Sequence, residues 1–295
     1  MEPYWYLASY PKSGNTWCRV FIAMLLRLAG MEREAGTKAT EAQEQELRLN
    51  RDLLTGSIVS SRYWLDDQLG IDTSDLRCEE LERVRGRVGH QLALYSEALR
   101  YHKVHDAFFT PSSGQPVVCT EGCAGVVYVM RHPADVAVSL SHFFGWELES
   151  SVAFLLNEEA SLMQSNKSGG NQVRQYLGRW DNHVASWCQQ TLLPVLILRY
   201  EDLLVDPEAH FQRLGSFLGL PDKPELIAEV VANTSFEKLR AKEEEEGGFH
   251  ERMPGCERFF RSGKSGEGRN RLSHEQFQLL EASFYAMLEK HGYLS

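Results

Sequence analysis

The 295-residue sequence is poor in several things, and each shortage removes a class of function. No apolar run comes near the roughly 20 residues that a membrane-spanning helix needs. The longest, Val20 to Leu26 and Leu192 to Leu198, fall far short, so no membrane span is expected. Met1-Glu2-Pro3 sets no basic segment ahead of an apolar stretch, and no signal peptide is expected either. Cysteine is sparse. Of the six, only Cys119 and Cys123 are neighbours, and their three-residue spacer is not the CxxC of a zinc or redox site. Reduced structural thiols in a cytoplasmic protein are the expectation. Positive charge is in deficit as well: 31 Lys and Arg face 41 Asp and Glu, a net charge of −10. That balance works against a broad phosphate-backbone footprint, so no nucleic-acid partner is expected. A Walker A loop is also missing. The one GKS, Gly263-Lys264-Ser265, has Arg258 where the first glycine belongs and follows no strand-like run.

What remains is an ordinary globular composition, 43% hydrophobic and 24% charged, with no internal repeat and no linker that demands a second domain. Residues 1–295 are therefore read as one domain. Tyr4 to Ser9 (YWYLAS) reads as a strand, broken by Pro11 to Gly14. From Asn15 the apolar residues Trp17, Val20, Phe21, Met24, Leu25 and Leu28 recur at helical spacing. Glu32 to Asn50 is a polar excursion. Glu79 to Leu99 reads as a helix leading into the short segment Tyr101 to His105. A second strand, Val126 to Met130, turns at Arg131-His132-Pro133 into a helix to about Phe144, where Pro133 suits the first helical turn. Ser165 to Asn171 is a loop, and Val195 to Arg199 is a third buried strand. Helices follow at Phe211 to Leu218 and Glu225 to Asn233, the acidic run Lys242 to Gly248 is expected to be solvated, and a last helix covers Ser273 to His291. Strands alternating with helices predict an α/β fold, a mostly parallel sheet covered on both faces, with ligands bound at the carboxyl ends of its strands.

The sharpest local feature is Tyr10-Pro11-Lys12-Ser13-Gly14-Asn15-Thr16-Trp17, between strand and helix. Gly14 lets the backbone approach an anion, the N–H groups that open the helix point at it, and Lys12, read as an exposed loop lysine, adds a charge beside the hydroxyls of Ser13 and Thr16.

This octapeptide resembles the 5′-phosphosulfate loop, YPKSGTTW, of the cytosolic-type sulfotransferases, which use 3′-phosphoadenosine 5′-phosphosulfate (PAPS). Further elements resemble that family in order along the chain. Tyr128 to Ser139 is similar to the family's 3′-phosphate strand-turn-helix, with Arg131 and Ser139 at the phosphate-contacting positions. Lys103-Val104-His105 resembles its Lys-Thr-His, whose histidine is the catalytic base. Arg199-Tyr200-Glu201-Asp202 matches the YED element, and Asn233-Thr234-Ser235-Phe236 resembles the TSF segment near the adenine. Phe260-Arg261-Ser262-Gly263 through Gly266-Glu267 resembles the loop that closes over the 3′-phosphate. The resemblance thus implies His105, Lys12 and Lys103 as catalytic residues. It implies Lys12, Ser13, Gly14, Asn15, Thr16, Trp17, Arg131, Ser139, Tyr200, Thr234, Phe236, Arg261, Ser262 and Gly263 as the binding set for PAPS and its product PAP. Two positions depart from the pattern: Ser262 replaces a lysine and Gly268 a tryptophan. Arg269 to Leu280 fits the short dimerisation motif of animal relatives poorly, which leaves the oligomeric state open.

The residues also make chemical sense together. Positioning and charge stabilisation supply most of the catalysis of an in-line group transfer. A sulfuryl group carries less charge than a phosphoryl group, so no metal is required, and no carboxylate pair after a strand calls for Mg²⁺. Lys12 steadies the leaving phosphate oxygen, His105 takes the proton of an acceptor hydroxyl, an amine being the less favoured acceptor, and kcat/KM is expected to rise with pH through the histidine range. Lys103 points the same way as His105 if the segment is extended. Asp106 either raises the pKa of His105 or faces away. His102, His105 and His142 have no spacing that fixes a metal site. Tyr63, Trp64, Phe108, Phe109, Phe143, Phe144 and Trp146 are candidates to line the pocket of a small-molecule acceptor, or else ordinary core. The alternatives are another P-loop enzyme such as a small-molecule kinase, or a nucleotide-binding protein without catalysis.

Overall fold

The computed structural model describes residues 4–35, 49, 57–92, 100–110, 116–163 and 171–294. Most of the polar excursion, and all of the expected 165–171 loop except Asn171, lie outside the described residues. Strand β1 (Tyr4–Ser9) passes through a tight turn into α1 (Asn15–Ala35). Then come β2 (Ser57–Ile58), α2 (Arg62–Leu69), α3 (Cys78–Leu92), β3 (Arg100–Val104), β4 (Cys123–Met130), α4 (Pro133–Phe144) and α5 (Leu148–Leu156). A short antiparallel pair, β5 (Ser161–Leu162) with β6 (Gln175–Tyr176), precedes α6 (Trp180–Cys188) and β7 (Val195–Arg199). The remaining elements are helices, α7 (Tyr200–Val205), α8 (Pro207–Phe217), α9 (Pro224–Asn233), α10 (Phe236–Glu245), α11 (Glu267–Arg271), α12 (His274–Ser283) and α13 (Tyr285–Lys290), with an irregular segment over 246–266. No helix among the described residues is long and apolar enough to cross a membrane.

The main sheet runs β2-β3-β1-β4-β7 with every pairing parallel. Because strand side chains alternate, β1 and β4 each feed two cores. Tyr4, Tyr6 and Ala8 join Val126, Tyr128 and Met130 under α4, α5 and α6, while Leu7, Val127 and Val129 pack with Phe21, Leu25 and Phe211 under α1 and α8. Both faces of the sheet are therefore covered, as the near-continuous apolar strands predict. The register sets Ala8 beside Val104 on one side and Tyr128 on the other. Consequently the residues that follow β1, β3 and β4, namely Tyr10, His105 and Arg131, leave the same edge of the sheet.

Three expectations are corrected. Strand β4 starts at Cys123, three residues before the apolar run suggests, since it continues alongside Tyr4 and Trp5. The last helix is broken at Phe284 (φ −116°, ψ 15°), whose ring is buried 5.3 Å from Trp180; tertiary packing overrides helical periodicity there. The acidic run is not wholly solvated. Its first residues complete α10, and Glu243 is buried, accepting the backbone N–H groups of Phe259 at 2.7 Å and Phe260 at 2.9 Å.

Candidate active site

The turn from Tyr10 to Gly14 holds two residues in the left-handed region, Lys12 (φ 68°) and Gly14 (φ 105°). Glycine adopts this conformation freely, and at residue 14 it is also required by space: a Cβ would stand 2.7 Å from Cδ2 of Tyr200. Lys12 has no such freedom. A non-glycine residue there costs on the order of 1 kcal/mol, a strain that gathers at functional sites. The turn delivers the chain to the N-terminus of α1, where the first backbone N–H groups have no acceptor within the helix. Asn15 fixes that approach by donating from Nδ2 to the Leu7 carbonyl (3.0 Å) and to Ser9 Oγ (3.2 Å). Ser13 Oγ and Trp17 Nε1 are buried beside it without any hydrogen-bond partner. Buried polar groups ordinarily have partners, so these two, with the cradle of N–H groups, fit an anionic ligand.

Lys12 is not the exposed lysine expected from its loop position. It is half-buried, with Nζ 3.9 Å from the ring centroid of Phe143 and 4.1 Å from that of Phe259. Burial pushes its ammonium down to about 7; Cys256 and Glu251 oppose that shift, while Lys103 and Arg131 reinforce it. An anion placed beside Lys12 would reverse the change.

His105 follows β3. Its Nδ1 lies 2.8 Å from the Ser9 carbonyl, which only accepts, so Nδ1 carries the hydrogen and Nε2 keeps the lone pair. The surrounding turn is held from several sides. His183 of α6 donates from Nε2 to the His105 carbonyl at 2.9 Å, and Trp187 donates to the Asp106 carbonyl at 2.9 Å. The Asp106 carboxylate faces away from His105 and takes both terminal nitrogens of Arg85, at 2.9 and 2.7 Å. Of the two orientations left open by the sequence, Asp106 takes the structural one. Burial, and then Lys103, push His105 down to about 3, so it is neutral throughout the physiological range.

Lys103 is buried and its Nζ donates to Glu251 Oε2 at 2.9 Å; Glu251 Oε1 accepts from Arg19 at 2.6 Å. Burial favours the protonated form of Glu251, but Lys103 and Arg19 outweigh it and hold the carboxyl well below the usual range.

The second half of the candidate site is built around Arg131 at the end of β4. Its guanidinium lies 4.4 Å from the centroid of Tyr200 and donates to the carbonyls of Lys12 (3.4 Å) and Lys264 (2.8 Å), while its Nε is buried and unpaired. Tyr200 thus packs against Gly14 and Arg131 at once and joins the two halves. Glu201 accepts from the His132 backbone N–H and from the Tyr293 hydroxyl, each at 2.9 Å, which pins the turn after Arg131. The segment expected to close over the nucleotide is held by buried Asp135, whose carboxylate accepts the N–H groups of Gly266 and Gly268, both at 2.7 Å. Gly268 lies so close to Ala134 that an added Cβ would meet its carbonyl carbon at 2.5 Å, so a tryptophan has no room at this position.

Other candidates sit as follows. Arg261 pairs with Glu267 through both nitrogens, at 3.1 and 2.5 Å, and Ser262 also hydrogen-bonds Glu267. Gly263 lies against the ring of Phe236, which opens α10. Ser139 is half-buried on α4 and Thr16 is buried on α1. Thr234 is fully buried at the end of α9, and its hydroxyl donates to the Val230 carbonyl at 2.8 Å. Among the aromatic candidates Phe143 flanks Lys12, Phe109 packs on Tyr176, Phe144 stacks on Trp146, and Tyr63 is exposed. His142 Nε2 donates to the Arg258 carbonyl, and no group of three or more His, Cys, Asp or Glu among the described residues is arranged to hold a metal ion. Sequence reasoning missed Glu251, which stands in no motif, and gave no role to Asp135, which stands inside one.

The sequence profile of the sulfotransferase domain matches residues 3–292. A flavonol 3-sulfotransferase of Flaveria bidentis is 28% identical over 287 residues, covering 94% of this chain and 78% of that protein. Cytosolic sulfotransferase 7 of Arabidopsis thaliana is 26% identical over 284 residues, covering 93% and 76%. Among solved structures, a retinol dehydratase in complex with retinol and PAP shares the fold at a TM-score of 0.61 and 21% identity, covering 98% of this chain and 82% of that one. A mouse sulfotransferase complexed with PAP does so at a TM-score of 0.55 and 19% identity, covering 98% and 85%. With the profile spanning all but the first two and the last three residues, the chain belongs to the sulfotransferase domain family.

Proposed function

We propose that this protein transfers the sulfuryl group of PAPS to a hydroxyl of a small-molecule acceptor, acting as a single domain in the cytoplasm. One observation carries the reading most directly: Tyr200 packs against both Gly14 and Arg131, so the cradle at α1 and the guanidinium after β4 form one bipartite anion site. A nucleotide phosphorylated at two ends matches it. Lys12, Ser13, Gly14, Asn15, Thr16 and Trp17 are assigned to the 5′ end. Arg131, Ser139, Arg261, Ser262 and Gly263 are assigned to the 3′ end, and Tyr200 and Phe236 to the nucleoside. His105 Nε2 removes the acceptor proton as the acceptor oxygen bonds to sulfur, and Lys12 neutralises the phosphate oxygen released when the old S–O bond breaks, leaving PAP.

The reading is tested by nucleotide discrimination. PAP is expected to bind more tightly than 5′-AMP, since each charge-assisted hydrogen bond to the extra phosphate contributes on the order of 1.5 to 3 kcal/mol. Arg131→Ala should erase most of that gap in calorimetric titrations. Equal affinity of the wild type for both nucleotides would refute the 3′ assignment.

The pH profile gives a second test, with a sign opposite to that expected from the sequence. His105, pushed down to about 3, is already neutral and imposes no rise through the histidine range. Lys12, pushed down to about 7, loses its charge as pH rises past that value. For the donor, kcat/KM reports the free enzyme. Measured from about pH 5.5 to about pH 9, it should therefore be level at first and then decline, and Lys12→Arg should remove the decline. A rise through pH 6 to 7 would contradict both environments.

A further inference from the structure

On the sulfuryl-transfer reading above, we infer that Glu251 is a positioning residue for the reaction: its carboxylate bridges Arg19 of α1 and Lys103 of β3, and so holds the Lys103 ammonium charged and in place beside the transfer site. The bridge is short at both ends, 2.6 Å to Arg19 and 2.9 Å to Lys103, and both cations are buried. α1 carries the phosphate cradle at its N-terminus, and β3 leads directly into His105. A single carboxylate from the segment after α10 thus ties the helix that receives the donor to the strand that presents the base.

Charge bookkeeping shows why the tie matters. Lys103 faces Lys12 from the loop after β1, Arg19 from α1, His105 beyond its own strand end, and both His250 and Glu251 from the segment after α10. Burial pushes both histidines down, so they add little positive charge near neutrality. Two lysines and an arginine remain in a poorly solvated space. A buried cation deprived of its counter-ion sheds its proton when it can. Arginine cannot do so, whereas lysine can. Removal of the Glu251 charge therefore falls on Lys103, which becomes neutral and loses its anchor, and the transferring group loses a cation at the moment its charge is redistributed.

The test compares wild type, Glu251→Gln and Glu251→Asp by two readouts. The first is an NMR titration of ε-¹³C-lysine protein without nucleotide, with the Lys103 resonance assigned through Lys103→Arg. The second is kcat against pH, from the sulfated product by mass spectrometry. Glu251→Gln should lower the Lys103 midpoint by one pH unit or more and reduce kcat roughly ten-fold or more at about pH 8. The loss should shrink as pH falls and Lys103 regains its proton, and Glu251→Asp, which keeps the charge, should restore most of the midpoint. An unchanged Lys103 midpoint in Glu251→Gln overturns the inference, as does an equal loss of kcat at every pH, the mark of a merely structural role. If Glu251→Gln does not fold, the inference is decided by Glu251→Asp, in which a midpoint and a kcat lowered together support it and a loss of kcat with an unmoved midpoint overturns it. A wild type that sulfates none of the acceptors offered, while the Lys103 midpoint still drops in Glu251→Gln, counts against sulfuryl transfer and for the coupling of Glu251 to Lys103.

Discussion

His105→Ala is expected to lower turnover roughly 10²- to 10⁴-fold while leaving PAP affinity nearly intact. The size of the effect follows from the environment of the ring. Nδ1 is committed to the Ser9 carbonyl, which leaves Nε2 as the proton acceptor, and burial keeps the ring neutral. The loss should be almost entirely in kcat, because His105 is assigned to the acceptor proton and not to the nucleotide. An aliphatic alcohol is the proper acceptor for the measurement, since an acidic phenol ionises unaided and hides part of the loss. Stability should change little: the backbone turn at His105 and Asp106 is held by His183, Trp187 and Arg85, none of which needs the imidazole. Turnover of such an alcohol at the wild-type rate would assign the proton to another group.

Lys12→Ala is expected to reduce transfer by at least about 10²- to 10³-fold, the range seen when a donor aimed at developing charge is removed. The folded state should barely notice. The replaced ammonium lies over two aromatic rings, a contact contributing roughly 0.5 to 1 kcal/mol, and alanine retains the same positive-φ backbone strain. Circular dichroism and thermal melting therefore serve as the control. A Lys12→Ala enzyme within a few-fold of wild type would show that the loop after β1 is not where the leaving oxygen sits.

The legible and illegible parts of this site divide along a physical line. The cradle was readable because a strand, a glycine turn and a helix start are local events, each encoded within a few residues of Lys12. The ends of β1 and β7, and the start of α4 at Pro133, matched their sequence signals for the same reason. Partner choice is a different matter. Glu251 lies 148 residues from Lys103, and Arg85 lies 21 residues from Asp106 on a different element. No periodicity reports which buried charge will find which. Lys12 was misjudged as exposed because Phe143 and Phe259 reach it from distant segments. The acceptor remains the least legible element, as its surroundings draw on segments without motifs.

The Asp135 clamp bears on how this protein could be re-engineered. One carboxylate receives the amides of Gly266 and Gly268 and stands 3.8 Å from Arg131, so this segment and Arg131 share a single latch rooted in α4. Detaching the segment gives up two charge-assisted hydrogen bonds at once, each contributing on the order of 1.5 to 3 kcal/mol. On the proposed reading, release of PAP past this segment breaks both bonds, so part of its barrier is set by α4 and not by the glycines alone. A laboratory selection for faster cycling that randomised only residues 262–268 would be searching the door while the bolt is in the frame.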